Sequence, residues 1–262
     1  MSMSKSKAVT LAGLLAAALV TAAHGATPCP GNPDALGTAR MLEVDAATTP
    51  RVGRKQFPQT LPLAPKEVVL TFDDGPWPGT TERILDTLRQ ECVRATFFLI
   101  GRNAQTRPAL AQRELAEGHT VAYHSFSHPM LDRMPIAAAQ ADIDRGIAAV
   151  DGALRGGAER RAAPFFRFPY FSSTPPLLDW LERRHMPVFG ADLWASDWNP
   201  MTPDQELRLI LGRVEETRGG IVLFHDTKAQ TAATVAPFLR ALKARGFSIV
   251  GLAGAGAHAP TQ

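Results

Sequence analysis

Cysteine is scarce in this chain of 262 residues, which contains only Cys29 and Cys92. Two cysteines form one disulfide at most, and the sequence alone does not show whether the fold brings them together. Cys92 lies between a helix-like segment and an apolar, strand-like segment. We therefore expect Cys92 to be a buried, inert thiol.

Nucleotide-binding signatures are missing as well. No Gly-x-Gly-x-x-Gly sequence follows the first strand-like segment, and no Lys-Ser or Lys-Thr pair of a phosphate-binding loop follows any of them. The formal net charge of +3 comes close to zero without Lys5 and Lys7, which lie in a segment that we expect to be removed. The sequence therefore supports no nucleotide and no nucleic acid as a partner.

The chain also lacks an apolar run of membrane-spanning length. Its first residues have a short lysine-bearing start, an apolar run from Ala8 to Ala23, and small residues at Gly25 and Ala26. That run is short for a membrane span, and the three-part pattern is typical of a secretory signal peptide. We predict a signal peptide over residues 1–26, export to the periplasm or the extracellular space, and no stable membrane span after cleavage. A retained membrane anchor is the alternative.

Two further segments lack regular periodicity. Residues 27–62 contain six prolines and are predicted to be a Pro-rich linker or a strap on the domain surface. Residues 255–262 are small and polar and are predicted to be a loose tail. The segment between them, residues 63–254, is predicted to be the main folded domain, and it contains no internal repeat.

From residue 63 onward, strand-like and helix-like segments alternate. The strand-like segments are residues 67–72, 95–100, 119–123, 165–168, 187–191, 220–224 and 247–250. The helix-like segments are residues 80–91, 103–117, 135–155, 174–185, 203–217 and 230–245. We expect Asn103 to be the N-cap of the second helix.

This alternation is typical of a parallel sheet covered by helices. Seven strand-like segments fall short of the eight strands of a full (β/α) barrel. We predict an α/β fold, a distorted and shortened (β/α) barrel with about seven parallel strands. An open, doubly wound sheet is the alternative.

Two carboxylates, Asp73 and Asp74, follow the first predicted strand directly. Neighbouring residues of a strand point to opposite faces, so two adjacent acids can face one site only where the strand gives way to a turn. We expect Gly75 to supply the backbone freedom for that turn. Without further signals, such a sequence would only mark the end of a strand.

Two histidines, His124 and His128, follow the third predicted strand. Histidines four residues apart on a helical turn lie on one face and are close enough to share a metal ion. Combined with a carboxylate from another strand end, they make a His₂-carboxylate set. Such a set leaves coordination positions open for water and substrate, as catalytic sites require.

Three other strand ends carry polar residues within apolar or aromatic surroundings. Arg167 lies in an apolar run and needs a carboxylate partner. Asp197 and Trp198 put an acid beside an aromatic ring, a combination that suits sugar hydroxyls and sugar faces. His225 follows the sixth predicted strand, where a general acid would be placed.

Taken together, these segments resemble the polysaccharide deacetylase family, which includes chitooligosaccharide, chitin and peptidoglycan N-deacetylases and some acetylxylan esterases. The resemblance extends from about Lys66 to Leu252, and it implies that residues 63–254 are the catalytic domain. Five family motifs occur in order, each at a predicted strand end: Thr71-Phe72-Asp73-Asp74-Gly75, His124-Ser125-Phe126-Ser127-His128, Arg167-Phe168-Pro169-Tyr170, Asp197-Trp198 and Leu223-Phe224-His225.

The resemblance implies a role for each matching residue. Asp73 corresponds to the general base, and Arg167 to the residue that pairs with it. Asp74, His124 and His128 correspond to the ligands of a divalent metal ion, usually Zn²⁺ and sometimes Co²⁺ or another divalent ion.

The same resemblance implies how the acetyl group is held and released. The backbone N–H of Tyr170 corresponds to the oxyanion donor. His225 corresponds to the general acid and Asp197 to the carboxylate that orients it. Trp198 and Leu223 correspond to the walls of the acetyl pocket.

The implied function is that of a secreted, metal-dependent hydrolase that removes N-acetyl groups from an amino-sugar polymer or oligomer. An O-acetyl esterase acting on a xylan-like polysaccharide is the alternative, because the same residues would cleave an ester. A carbohydrate-binding protein without catalysis is less favoured, since no implied catalytic residue is missing. The chain departs from the usual family pattern at three positions: Tyr123, Phe168 and Phe171.

Overall fold

A computed structural model of the chain describes residues 29–155 and 161–255. The predicted signal peptide, residues 1–26, lies outside the described residues, and so does the tail beyond residue 255. The strands are β1 (Thr38–Val44), β2 (Arg51–Val52), β3 (Glu67–Asp73), β4 (Thr96–Leu99), β5 (Thr120–Tyr123), β6 (Val188–Phe189), β7 (Leu193–Trp194), β8 (Gly220–His225) and β9 (Ser248–Gly254). The α-helices are α1 (Thr81–Gln90), α2 (Gly101–Thr106), α3 (Pro108–Ala116), α4 (Ile136–Leu154), α5 (Pro175–Glu182), α6 (Pro203–Thr217) and α7 (Ala229–Ala244).

The strands pair in parallel, with β3 at the centre of the sheet. Strand β3 pairs with β4 on one side and with β8 on the other, and its first two residues, Glu67 and Val68, also pair with β9. Strand β4 pairs with β5. Strand β8 also pairs with β7, and β1 pairs with β9. The carboxyl ends of these strands therefore meet at one edge, where parallel α/β folds place their sites.

The sheet curves far enough to form most of a barrel. Phe166 bridges Tyr123 on one side and Val188 on the other, which links β5 to β6. Strand β6 pairs in turn with β2. No ladder between β6 and β7 closes the ring in the described part of the chain. The predicted α/β class and the distorted barrel of parallel strands are confirmed, but strand-like segment 165–168 contributes only the isolated bridges at Phe166.

Alternation along β3 shows how the core positions the site. Val68, Leu70 and Phe72 belong to the larger apolar cluster, which includes residues of the surrounding helices. Val69 faces the barrel interior and belongs to a second apolar cluster. Since side chains alternate along a strand, Asp73 lies on the interior face with Val69, at the end where the strand finishes.

Two strands occur where the sequence predicts none. Both β1 and β2 lie within residues 27–62, the predicted linker or strap, and β1 pairs with β9 over Thr38–Val44. Strand β1 is only half-buried along most of its length, so it shows no apolar run. The short β7 was also missed, because two residues carry no periodicity.

The helix predicted over residues 103–117 is two helices. Helix α2 ends at Thr106 and α3 begins at Pro108, because proline is tolerated at a first helical position but not within a helix. The expectation that Asn103 caps this helix is wrong. Asn103 lies inside α2, and its Nδ2 donates a hydrogen bond to the carbonyl oxygen of Asp74 at 2.8 Å.

Cys29 and Cys92 form a disulfide, with their Cα atoms 5.6 Å apart. The expectation that Cys92 is an inert thiol is therefore wrong. The bond ties the start of the described chain to the segment between α1 and β4, at the end of the sheet opposite the carboxyl ends of the strands. Within the residues that the structure describes, no helix combines the length and the apolar character that a membrane crossing requires.

Candidate active site

Asp73, the last residue of β3, is held by Arg167. The Arg167 guanidinium is fully buried and donates through Nη1 to Oδ1 of Asp73 at 2.6 Å and to Oγ1 of Thr71 at 2.8 Å. Its other donors bind the carbonyl oxygens of Phe189, at 3.2 Å, and Gly190, at 2.8 Å. Arg167 thus finds the carboxylate partner that its apolar surroundings require, and the orientation of Asp73 is fixed.

The turn after Asp73 is formed differently from the sequence-based expectation. Asp74 itself adopts the left-handed conformation, with φ 76°, which aspartate tolerates better than most residues. Gly75 does not have a positive φ. It is needed for another reason, since a β-carbon there would lie 2.1 Å from Oδ2 of Asp226. The role predicted for Gly75 is therefore wrong, although a glycine is required.

Asp74, His124 and His128 converge on one point. One ligand atom from each lies within 4.8 Å of the others. Oδ1 of Asp74 is 3.5 Å from Nε2 of His124 and 3.1 Å from Nε2 of His128. The prediction that the two histidines lie on a helical turn is wrong. Residues 124–128 form an irregular turn in which Ser125 and His128 have φ 60°.

The donor atoms of this cluster fit a divalent cation. Nδ1 of His124 is 2.7 Å from the carbonyl oxygen of Arg167, which can only accept, so Nδ1 carries a proton. In the neutral imidazole Nε2 then presents a lone pair toward Asp74. Oδ1 of Asp74 is buried and accepts no hydrogen bond among the described residues. A lone pair facing an unpaired carboxylate oxygen is the arrangement that a cation completes.

The ionisation of Asp74 agrees with that arrangement. Burial raises the pKa of the Asp74 carboxyl, but its polar contacts with His124 and His128 outweigh burial. The pKa of Asp74 is therefore held far below its usual value, and the group is a carboxylate at neutral pH.

His225 and Asp197 form a hydrogen-bonded pair on the neighbouring strand end. Nδ1 of His225 is 2.7 Å from Oδ1 of Asp197, and its backbone N–H donates to Oδ2 at 2.6 Å. Burial lowers the pKa of His225, but the hydrogen bond and charge of Asp197 outweigh burial and raise the pKa to about 9. His225 is thus an imidazolium at neutral pH. The register of β3 and β8 pairs it with Asp73.

Exposed aromatic rings surround these groups. The ring of Tyr170, 61% exposed, meets that of His128 edge-on, with centroids 4.6 Å apart. The ring of Trp198, 46% exposed, lies 5.9 Å from that of His225. Tyr170 has a left-handed backbone, with φ 55°, and Leu223, two residues before His225 on β8, is buried. All ten residues singled out in the sequence lie at the carboxyl-end edge of the sheet.

Comparison with known proteins identifies the family. The family model described as Polysaccharide deacetylase matches residues 61–188. The chitooligosaccharide deacetylase of Sinorhizobium fredii is 32% identical over 195 residues, which cover 70% of this chain and 88% of that protein. The chain belongs to the polysaccharide deacetylase family.

Other members of the polysaccharide deacetylase family extend this result. A peptidoglycan-N-acetylglucosamine deacetylase of Listeria monocytogenes is 32% identical over 191 residues, 71% of this chain but only 38% of that relative. The chain thus spans well under half of that protein. Among solved structures, the Bdellovibrio bacteriovorus peptidoglycan deacetylase Bd3279 has a TM-score of 0.74 and 32% identity, covering 83% of this chain and 59% of that one. A family 4 carbohydrate esterase from Streptomyces lividans, in complex with acetate, has a TM-score of 0.60 and 31% identity, covering 71% of this chain and 93% of that one.

Within the candidate site, the sequence alone did not mark several supporting residues. Asn103 fixes the Asp74 carbonyl, and Asp226 packs against Gly75. Thr231 donates to Asp197 at 2.8 Å, and Gln56 donates to the carbonyl of Phe171 at 3.1 Å. Asn103 and Thr231 lie in predicted helices, and Gln56 lies in the predicted linker, so no local pattern marks them. Asp226 is the exception, because its position directly after His225 marks it in the sequence.

The three departures from the usual family pattern serve local packing. Phe168 is buried in the core, and the hydroxyl of Tyr123 donates to Asp151 at 2.8 Å. The ring of Phe171 stacks on that of Trp194, with centroids 6.0 Å apart. Phe171 therefore lies next to Trp194, whose ring in turn contacts that of Trp198.

Proposed function

We propose that the protein is a metal-dependent hydrolase that removes N-acetyl groups from an amino-sugar polymer or oligomer of the peptidoglycan or chitooligosaccharide type. The observation that carries this proposal is the cation-fitting cluster of Asp74, His124 and His128 beside two groups that handle protons. Those groups are Asp73 and His225, which are neighbours in the sheet register. Family membership supports the same reaction.

The residues that would hold the metal ion are Asp74, His124 and His128. A His₂-carboxylate set is typical of catalytic zinc, and Co²⁺ has similar ligand preferences. A divalent ion bound there lowers the pKa of a coordinated water molecule and polarises the acetyl carbonyl.

Asp73 is suited to act as the general base. Its Oδ1 is occupied by the Arg167 guanidinium at 2.6 Å, so Oδ2 is the oxygen that remains to accept a proton from the attacking water. Oδ2 lies 3.8 Å from Nε2 of His124 and thus beside the metal cluster. The ion pair with Arg167 holds the Asp73 carboxyl in this orientation.

His225 is suited to act as the general acid. Asp197 binds its Nδ1, which leaves the proton on Nε2 for transfer to the leaving amine. An amide needs this protonation because an unprotonated amine is a poor leaving group. The oxyanion that forms on the acetyl carbon would accept a hydrogen bond from the backbone N–H of Tyr170, a contribution of about 3–4 kcal/mol for a well-placed donor.

The substrate proposal rests on the relatives and on the exposed rings. The relatives are named as deacetylases of peptidoglycan N-acetylglucosamine and of chitooligosaccharides. Trp198 is exposed beside His225, where it can pack against the acetyl group or a sugar face. The buried Leu223, two residues before His225, would form the other wall of the acetyl pocket. Removal of O-acetyl groups from a xylan-like polysaccharide is the second candidate. It is supported by the likeness to a bifunctional xylanase/deacetylase from Pseudobutyrivibrio xylanivorans, 31% identical over 189 residues.

One experiment separates these substrates. Zinc-loaded protein is incubated with chitin oligomers, peptidoglycan fragments and acetylated xylan, and the products are analysed by mass spectrometry for the loss of acetyl groups. We expect acetyl loss from at least one of the two N-acetylated substrates. Loss from xylan alone would assign the protein to esterases, and no loss from any of the three would contradict the proposal.

We also propose that the protein is exported. The N-terminal pattern of residues 1–26 supports export, and so does the disulfide between Cys29 and Cys92, since disulfides persist in oxidising compartments. Sequencing the N-terminus of the protein recovered from outside the cytoplasm tests this proposal. A chain that still begins at Met1 would contradict cleavage of a signal peptide.

A further inference from the structure

A buried carboxyl group, Glu206, lies behind the His225–Asp197 pair. Glu206 belongs to helix α6 and is fully buried. The hydroxyl of Thr231 lies 2.8 Å from Oδ2 of Asp197 and 3.0 Å from Oε1 of Glu206. Thr231 therefore bridges two carboxyl groups, one of which binds the proposed general acid.

The other oxygen of Glu206 has a similar neighbour. The hydroxyl of Thr234 lies 3.3 Å from Oε2 of Glu206 and 3.2 Å from the carbonyl oxygen of Pro203. A carbonyl oxygen can only accept, so this contact requires the hydroxyl proton of Thr234. Each threonine has a single hydroxyl proton and faces two acceptors.

A proton on Glu206 raises from two to three the number of these four contacts that can be hydrogen bonds. Four short contacts connect Asp197, Thr231, Glu206, Thr234 and Pro203, and the two hydroxyls supply only two protons. A proton on Glu206 makes this carboxyl a donor to one threonine, which frees the hydroxyl proton of Thr231 for Asp197. Asp197 is already bound to the imidazolium of His225, so it is the less suitable of the two acids to hold the extra proton.

We infer that Glu206 is a positioning residue that holds a buried proton and, through Thr231, controls how firmly Asp197 retains the proton on His225. This inference rests on the proposed function, because His225 matters as the acid of that reaction. In the protonated state Glu206 donates to Thr231, and Thr231 donates to Asp197. Loss of the proton puts a second negative charge behind Asp197 and turns the Thr231 hydroxyl toward Glu206.

The electrostatic surroundings agree with this assignment. Burial and the negative charge of Asp197 raise the pKa of Glu206 to about 7, and hydrogen bonds from Thr231 and Thr234 and the charge of His225 only partly oppose this. These are the charged and polar groups that act on Glu206 from α7, β8 and the loop after β7. The Glu206 carboxyl therefore gains and loses its proton near neutral pH.

Ionisation of Glu206 raises the proton affinity of His225. An added negative charge favours the imidazolium, and the loss of the Thr231 hydrogen bond makes Asp197 a stronger partner for it. Both effects keep His225 protonated as the pH rises. Glu206 thus extends the pH range over which the general acid works.

Glu206→Gln tests the buried proton without measuring activity. Glutamine has nearly the shape of protonated glutamate and can donate from Nε2. Because the pKa of Glu206 is raised, the folded wild type binds more protons than the unfolded chain between about pH 4.5 and about pH 7. The stability that comes from the buried proton is therefore lost as the pH rises through that window. We expect the melting temperature of Glu206→Gln, relative to wild type, to increase from pH 5 to pH 8. Glu216→Gln, an exposed change on the same helix, should show no such trend.

The pH profile of kcat/KM for the zinc-loaded enzyme tests the coupling to His225. In Glu206→Gln the fall at high pH should move to lower pH by about 1 unit, at unchanged zinc content. An unchanged profile would overturn the coupling. A Glu206→Gln protein that does not fold, or whose relative melting temperature falls as the pH rises, would overturn the buried proton. Wild type that releases no acetate would contradict the proposed function and leave the melting test valid.

Discussion

The carboxyl group of Asp226 occupies the space that any side chain at Gly75 would need. A β-carbon on Gly75 would lie 2.1 Å from Oδ2 of Asp226. Asp226 is fully buried, its Oδ2 accepts a hydrogen bond from Thr81 at 2.5 Å, and its backbone N–H donates to the carbonyl oxygen of Asp73 at 3.3 Å. Asp226, which directly follows His225, thus shapes the turn that carries Asp73 and Asp74.

Gly75→Ala tests this contact. The overlap should lower the free energy of unfolding by about 1–3 kcal/mol and weaken zinc binding, because the turn at Asp74 has to shift. Adding Asp226→Ala makes room for the new methyl group, so the double variant should lose less than the two single changes summed. Calorimetry and zinc titration provide the two measurements.

A matched control for Gly75→Ala is Gly212→Ala in helix α6, where a β-carbon meets open space. There alanine should stabilise the protein by about 0.5–1 kcal/mol, since glycine within a helix is unfavourable. Additive losses in the Gly75/Asp226 double variant would show that the two residues do not compete for space.

Asp74→Asn tests the metal cluster. Asparagine tolerates the left-handed backbone of this position, so the change removes the charge of the ligand without straining the turn. Zinc affinity should fall by at least about 100-fold, because even a residue that only supports a ligand contributes about 10–100-fold. Elemental analysis after dialysis gives the zinc content. Full zinc occupancy in Asp74→Asn would remove Asp74 from the ligand set.

His225→Gln tests the general acid. We expect the zinc content to stay the same and kcat to fall by about 10²–10⁴-fold, the usual contribution of a general acid. A turnover number equal to that of wild type would exclude His225 from proton transfer.

Asp197→Asn tests whether Asp197 raises the pKa of His225. The pKa of about 9 for His225 depends on Asp197, and kcat/KM requires the protonated ring. In wild type, kcat/KM should therefore fall as the pH rises toward about 9, and at somewhat lower pH when a cation at Asp74 repels the imidazolium. Removing the charge of Asp197 should move this fall to lower pH. A pH–rate profile shows the shift, and an identical profile in Asp197→Asn would contradict the assigned pair.

The disulfide between Cys29 and Cys92 should stabilise the fold without serving the reaction. It closes a loop with a sequence separation of 63 residues, for which the chain-entropy relation gives about 4 kcal/mol. The Cys29→Ser/Cys92→Ser double variant should therefore melt at a lower temperature. Its kcat, measured well below that temperature, should match wild type, because the bond lies at the end of the sheet away from the site. A large loss of kcat in a fully folded double variant would contradict this separation.

The sequence predicts which side chains form the site better than it predicts the backbone conformation of the turns that carry them. Asp73, His124 and His225 stand at strand ends, and buried parallel strands are recognisable as apolar runs. Their meeting at one edge follows from parallel topology alone. The irregular turn between His124 and His128 has no such signal, because left-handed residues such as Ser125 are set by tertiary contacts rather than by their own preferences.

Residues that support the site from a distance were the hardest to predict. The bridge from Asp197 through Thr231 to Glu206 joins three elements that are separated along the chain. A threonine and a glutamate within a helix look like surface residues until the packing of α6 against α7 is known. The same holds for β1, a half-buried edge strand whose partner β9 lies some 200 residues later.

The central claim is that a metal ion at Asp74, His124 and His128 enables Asp73 and His225 to remove an acetyl group. The most direct measurement is acetate release from an N-acetylglucosamine oligomer by the zinc-loaded protein, by the same sample after chelation, and by that sample after zinc is restored. The account predicts acetate from the first, background from the second and recovery in the third. Acetate release that continues unchanged after verified removal of the metal would contradict it.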